Sequence, residues 1–347
     1  MAFSPLVAAE THNIPISEAY FQGAISIEPV EDGLKPWRVE YRDRDLLQPF
    51  GEILWWAQCP SGVRLRFWYS GGQLGLNLVP RDKGGPRLFD LVKDNKLLET
   101  GSLAPGQETF LYQTRLDAGV YEIWLSHRDP MVIRSFVISG KELRPEPDHR
   151  IRWLTYGSSI THCIAADSPA QTWPAVAARE MDVNLISMGL SGNCHLESLI
   201  ASYIRDQQAD IMTLKLGINV YGVESMNARA FEPAVIGLVK TIREKNPLAP
   251  IALITPIIAP LREETENSLG MTLEDYRECV RDAFQCLKTA NPGENLFLFE
   301  GKNLFGEDDV SMLPDSLHPD AEGYRVLGSR VAALVLPKLL PQTRVTK

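Results

Sequence analysis

The chain has 347 residues, long for one compact domain and comfortable for two. Hydrophobic residues make up 44% and charged residues 23%, an ordinary globular balance. Lys and Arg number 35 against 44 Asp and Glu, a net charge of −9 with no basic block, which argues against nucleic acid and membrane surfaces as partners.

No apolar run approaches the ~18–20 residues of a membrane span. The first ten residues, Met1 to Glu10, lack the basic stretch and apolar core of a signal peptide, so a cytoplasmic location is expected. Five scattered cysteines (Cys59, Cys163, Cys194, Cys279, Cys286) form no CxxC pair and argue against a disulfide framework and against zinc. Cys279 and Cys286 share a predicted helix face, where seven residues separate Cα atoms by roughly 10 Å. That is too far for a disulfide. All five are expected to be small buried apolar residues.

In chain order, residues 1–148 read as an all-β sandwich domain. Ala24–Ile27, Trp37–Tyr41, Val63–Tyr69, Leu74–Leu78 and Val120–Leu125 alternate apolar and polar residues, at least in part. Turn residues such as Gly71-Gly72 and Asp82–Gly85 separate them. No helix is predicted in this half, although 89–98 is ambiguous. Lys141–Arg150 is polar, carries two prolines and reads as a linker.

The second domain, residues 149–347, alternates short apolar runs with helical patterns. The runs are Ile151–Tyr156, Val183–Met188, Ile211–Leu216, Ile251–Thr255 and Leu296–Phe299. Helices are predicted near 169–181, 195–206, 226–245, 272–290 and 320–336. Phe231, Val235, Leu238, Val239 and Ile242 recur at helical spacing. Thr272 and Asp275 resemble a capping box ahead of the stripe Tyr276, Val280, Ala283 and Leu287. Such alternation means a parallel sheet covered on both faces, with functional residues at the carboxyl ends of its strands.

Four strand-end segments carry candidate chemistry. Gly157-Ser158-Ser159 ends the first strand, where a glycine turn suits a nucleophile or equally a phosphate loop or plain cap. Gly189-Leu190-Ser191-Gly192 ends the second, and the Gly192 N–H is free to face a ligand oxygen or merely to turn the chain. Gly217-Ile218-Asn219 ends the third; the amide is a donor for an oxyanion or a loop cap. Asp315-Ser316-Leu317-His318 precedes the last helix. There a carboxylate can hold one imidazole nitrogen and leave the other to take a proton from a serine.

Together and in this order, these segments resemble the four blocks of the SGNH/GDSL hydrolase family, over roughly residues 151–340. The resemblance implies a three-layer α/β/α, flavodoxin-like domain. It assigns Ser159 as nucleophile, His318 as base and Asp315 as its orienter. Backbone N–H groups of Ser159 and Gly192 and the Asn219 amide would form the oxyanion hole, with no metal or organic cofactor. Two positions depart from the family pattern: Ser158 and Val220 stand where it usually or often has Asp. A G-x-S-x-G elbow is absent from the sequence.

Further residues carry weaker expectations. His162, Cys163, Cys194 and His195 adjoin the first two blocks and are candidates for a cleft wall, although packing is the commoner role. His12, His127 and His149 are expected to be surface or structural. Ile257–Met271 follows the fourth strand and is either a substrate lid or an ordinary solvated loop. Trp55, Trp56 and Trp68 are expected in the core, although the β domain resembles a carbohydrate-binding module. Three functions follow. One is hydrolysis of a small-molecule or glycoside ester through an acyl-serine. The second is acyl transfer from the same intermediate to an alcohol acceptor. The third is a non-catalytic glycan-binding protein.

Overall fold

The computed structural model describes residues 10–47 and 52–341. Met1 to Ala9, read above for a leader, lie outside the described residues.

The N-terminal half is built from two six-stranded antiparallel sheets. One runs Ser26–Val30, Gly33–Trp37, Ile133–Ile138, Leu74–Leu78, Thr109–Leu111, with His12–Pro15 also on Ile133–Ile138. The other runs Leu143–Pro145, Arg64–Tyr69, Gly119–Trp124, Arg87–Lys93, Lys96–Leu103, with Phe21–Gln22 also on Arg64–Tyr69. Alternation fills the space between them: Leu65, Phe67 and Tyr69 face Leu74, Leu76, Phe136 and Ile138 in one buried cluster. Arg64, Arg66 and Trp68 take the opposite face. The ambiguous stretch 89–98 is a hairpin. Asp94 and Asn95 form its two-residue loop, both left-handed (φ 50° and 62°), as a type I′ turn requires.

Two expectations for this half fail. The strand expected at Trp37–Tyr41 is instead Gly33–Trp37, and the chain leaves the sheet at Arg38, whose side chain turns into the C-terminal half. Short helices at Arg44–Leu47 and Ile53–Gln58 were not predicted; they carry too few turns to show a period.

The C-terminal half has a five-stranded parallel sheet in the order Asn184–Gly189, Arg152–Gly157, Ile211–Lys215, Ile251–Ile254, Leu296–Phe299. This 2-1-3-4-5 order is the flavodoxin-like arrangement. Trp173–Glu180 packs against Ala321–Leu334, while Ala228–Arg243 packs against Ser198–Asp206 and Leu273–Ala290. The predicted stripes are buried, and the Thr272/Asp275 capping box forms in both directions.

The two halves share a core. Trp37, Val39, Ile53, Ala57, Val92 and Trp124 belong to the same buried cluster as the parallel sheet. The Lys141–Arg150 connection is pinned: Asp148 pairs with Arg64 at 3.3 Å and with Arg150 at 2.5 Å. Gly62 (φ +81°) lies so close to the second parallel strand that a Cβ there would stand 2.7 Å from Ser187 Cβ. Buried polar groups of the β half also hold the segment after the first strand. Asp90 accepts from Ser168 Oγ (2.6 Å) and Ala170 N–H (2.7 Å), and Arg128 donates to the carbonyls of Ile164 (3.2 Å) and Ala166 (2.8 Å).

His127 lies buried in this seam. Burial, with help from Arg128, pushes its pKa down from 6.5 to about 3. The unfolded chain therefore binds this proton more tightly than the folded one, so stability rises with pH across that window. Stability measured by urea unfolding is expected to fall as pH drops from 6.5 toward 3. His127→Gln should remove about 1.4 kcal/mol per pH unit of that slope. Equal slopes in the two proteins would show that the ring carries no such linkage.

Candidate active site

Strand Arg152–Gly157 ends in a turn that opens the short helix Ser159–His162. Ser158 is its N-cap, and the Ser158 hydroxyl accepts from Ile160 N–H at 3.2 Å. Serine and aspartate serve this capping role about equally well. The departure from the family pattern at Ser158 therefore keeps the loop geometry and removes a charge. Val220, the other departure, is fully buried.

Ser159, the first residue of that helix, places Oγ 2.8 Å from Nε2 of His318. His318 Nδ1 lies 2.6 Å from Asp315 Oδ2. The same carboxylate accepts backbone N–H bonds from Leu317 (3.0 Å) and His318 (2.7 Å) across a turn in which Ser316 is left-handed (φ 59°). Asp315 thus fixes both the ring and the chain that carries it. Partial burial alone would push the Asp315 pKa up. The ring and backbone donors outweigh burial and hold the carboxyl below its usual range. These partners assign the tautomer: Nδ1–H donates to Asp315, leaving the Nε2 lone pair to accept the Ser159 hydroxyl proton.

The other predicted residues stand on neighbouring strand ends. Gly192 is exposed, and a Cβ there would meet nothing within 4 Å. Asn219 lies in the first turn of helix Ile218–Val223, and its Oδ1 accepts from Cys194 N–H at 3.0 Å. That bond fixes which way the amide is turned and leaves its NH2 group to donate elsewhere. A serine with its base and amide donors from adjoining loops has what acyl transfer needs: a nucleophile relieved of its proton and donors for a developing oxyanion.

Of the four residues weighed between a cleft wall and packing, three are packed inside. His162, Cys163 and Cys194 have no exposed surface of note, and burial pushes both thiols up, Cys194 to about 12. Only His195 is accessible; Nε2 lies 2.9 Å from Gly192 O and Nδ1 2.9 Å from Ser225 Oγ. Cys286 is exposed and Trp55 is 50% exposed, against the expectation of burial for both. Trp56 and Trp68 are half-buried. His12 and His149 are on the surface. The loop 257–271 is fastened on both flanks. Tyr221 donates to Thr265 O at 3.1 Å, Glu224 accepts from Ser268, and Arg277 holds Glu263. Arg262 reaches Ser316 O, between Asp315 and His318, at 3.4 Å. Among the described residues no cluster of His, Cys, Asp and Glu is arranged to hold a metal, and no helix is long and apolar enough to cross a membrane.

Among the residues missed by the sequence reading, several from the β half converge on His162. Ser61 Oγ donates to His162 O at 3.0 Å. Arg38 Nη2 lies 3.0 Å from His162 Nδ1, and the Trp56 ring stands edge-on at 4.9 Å. No local pattern announces contacts made across more than 100 residues.

Fold and site together define the SGNH class of serine esterases and acyltransferases. The model of the GDSL-like lipase/acylhydrolase family matches residues 151–332, and the chain belongs to that family. The model of the SsfX3 N-terminal domain matches residues 19–88. No curated protein matches the chain. Among solved structures, the salicylyl-acyltransferase SsfX3 from a tetracycline biosynthetic pathway is similar at TM-score 0.85 and 26% identity, covering 95% of this chain and 99% of that one. A family two carbohydrate esterase from Cellvibrio japonicus has TM-score 0.60 at 14% identity, covering 95% and 98%. An acetyl xylan esterase from Butyrivibrio proteoclasticus has TM-score 0.58 at 12%, covering 95% and 98%. At those identities the two esterases share the fold.

Asn219→Asp keeps an acceptor for Cys194 N–H and removes the amide donor. It is expected to lower kcat for p-nitrophenyl acetate by about 10²–10³ with little change in melting temperature. An unchanged kcat would remove Asn219 from the oxyanion site.

Proposed function

We propose that the protein is a carboxylic-ester acyl hydrolase that works through an acyl-Ser159 intermediate. The observation that carries this reading is the continuous hydrogen-bonded chain from Ser159 through His318 to Asp315. His318 takes the hydroxyl proton as Ser159 attacks the ester carbonyl. Asp315 stabilises the imidazolium that forms. The Ser159 and Gly192 N–H groups and the Asn219 amide hold the tetrahedral oxyanion, and collapse expels the alcohol with the proton from His318. Water activated by the same base then releases the acid.

The loops around the triad expose large apolar side chains. Ile164 follows the nucleophile helix, and Val223 (62% exposed) ends the helix that carries Asn219. Leu261 (67% exposed) precedes the Arg262 that reaches the triad loop. Exposed apolar side chains in the segments that carry the site favour an apolar acyl or alcohol group over a bare sugar chain.

A second reading, transfer of the acyl group to a hydroxyl acceptor, is supported by the likeness to SsfX3 across nearly the whole length of both chains. The two readings share every step up to the acceptor.

Mixing the protein with short-chain p-nitrophenyl esters is expected to give a burst of p-nitrophenol stoichiometric with protein, absent from Ser159→Ala. Products formed with added phenols or alcohols then separate the readings: free acid alone supports hydrolysis, a new ester supports transfer. A burst retained in Ser159→Ala would overturn both.

A further inference from the structure

Arg38 leaves the β half and is fully buried in the seam. Among the described residues its guanidinium meets no carboxylate. Nη1 donates to Gly189 O (2.6 Å) and lies 3.4 Å from Ser187 O, and Nη2 donates to Trp56 O (2.5 Å) and faces His162 Nδ1 (3.0 Å). Arg64, equally buried against the same parallel strand, has Asp148 and Glu122 beside it. A buried guanidinium without a counter-charge is costly, so its placement calls for a specific role.

The geometry at His162 supplies one. Its Nε2 lies 2.7 Å from His127 O and must donate there, which leaves Nδ1 as a lone pair. That lone pair stands 3.1 Å from Gly189 O, another acceptor. Two acceptors at this distance repel unless a donor serves both. Arg38 does so, one N–H to each, with the planar fork that a lysine lacks. His162 is the last residue of the nucleophile helix, and Gly189 opens the loop to Gly192. The two backbones touch: a Cβ on Gly189 would stand 2.4 Å from His162 N.

We propose that Arg38 is a positioning residue that sets the spacing between the Ser159 and Gly192 backbone donors of the oxyanion hole, making the β domain a working half of the active site. The proposal rests on the acyl-serine reading above. Its signature is a loss in the chemical step with ground-state binding spared, because the oxyanion exists only in the transition state.

The test compares full-length wild type, Ser159→Ala, Arg38→Met, Arg38→Lys and Arg64→Met with p-nitrophenyl acetate, alongside the rate of labelling by a fluorophosphonate. Both Arg38 variants are expected to lose about 100-fold in kcat and in labelling rate, with KM within about threefold. Arg64→Met, which cuts a contact between the same two domains away from this loop, is expected to lose melting temperature and keep kcat within about threefold. Arg38→Lys keeps the buried charge and serves if Arg38→Met does not fold. Arg38 variants with near wild-type kcat, or an equal loss in Arg64→Met, would overturn the proposal alone. A wild type without Ser159-dependent turnover would overturn the acyl-serine reading and the proposal with it.

Discussion

The structure depends on how the β half grips the stretch that follows the nucleophile. Between His162 and Ala170 the chain runs from the nucleophile helix to helix Trp173–Glu180, and its polar groups are held from across the seam. Ser61 and Arg38 meet His162, Arg128 takes the carbonyls of Ile164 and Ala166, and Asp90 takes Ser168 and Ala170 N–H. Backbone groups buried away from water must find partners. Without the β half, this segment would expose them beside the reacting serine. The contacts are charged and directional, so they fix register where an apolar contact would allow sliding. The two halves therefore share the packing of this segment.

That dependence explains what the sequence made legible. The parallel sheet, its helices and the Thr272 capping box follow local periodicity, and each covers enough turns to leave a pattern. The Ser159, Gly192 and Asn219 segments were visible because each sits at a strand end, where a parallel sheet gathers its chemistry, and the His318 segment because it lies just ahead of the last helix. Asp315 and His318 share one turn, so their pairing was a local matter. Arg38 was hidden inside an apparent alternating strand, Trp37 to Tyr41, because arginine in such a pattern reads as an outward residue. Two of its acceptors, Ser187 O and Gly189 O, lie about 150 positions away, and no propensity encodes that distance. His162, Cys163 and Cys194 take the packing role weighed as the commoner one, because adjacency to a motif in sequence does not say which face of the loop the other half will cover. Trp55 and Cys286 show the converse, since an apolar residue on a short or amphipathic helix is not obliged to be inside.

The local electrostatics extend the argument. The chain carries a net charge of −9, yet near the ends of the first parallel strands it buries cations that hydrogen-bond no carboxylate among the described residues. Arg38 is one. Lys215 is another: it is 3% exposed, its Nζ has no hydrogen-bond partner among the described residues, and burial pushes its pKa down to about 8. Lys215 follows Leu214, which pairs with Tyr156, so it stands beside Gly157 at the foot of the nucleophile turn. Ser158 and Val220, where the family favours aspartate, bring no negative charge to the same region.

Acyl transfer by serine develops negative charge on the carbonyl oxygen, and its cost depends on the charges and dipoles fixed before the reaction begins. A nucleophile turn capped by neutral Ser158 avoids placing a carboxylate near that oxygen. It still satisfies Ile160 N–H, so the cap costs nothing in geometry. The one carboxylate of the proposed triad, Asp315, stands on the side of His318 away from Ser159, where it would meet an imidazolium. On the proposed mechanism the Asp315 carboxylate faces the positive charge that forms on His318, while the buried Lys215 stands beside Gly157, ahead of the Ser159 turn. On the proposed mechanism Arg38 is the first half's part in that division, and through His162 it would tie the chemistry of the second half to the first.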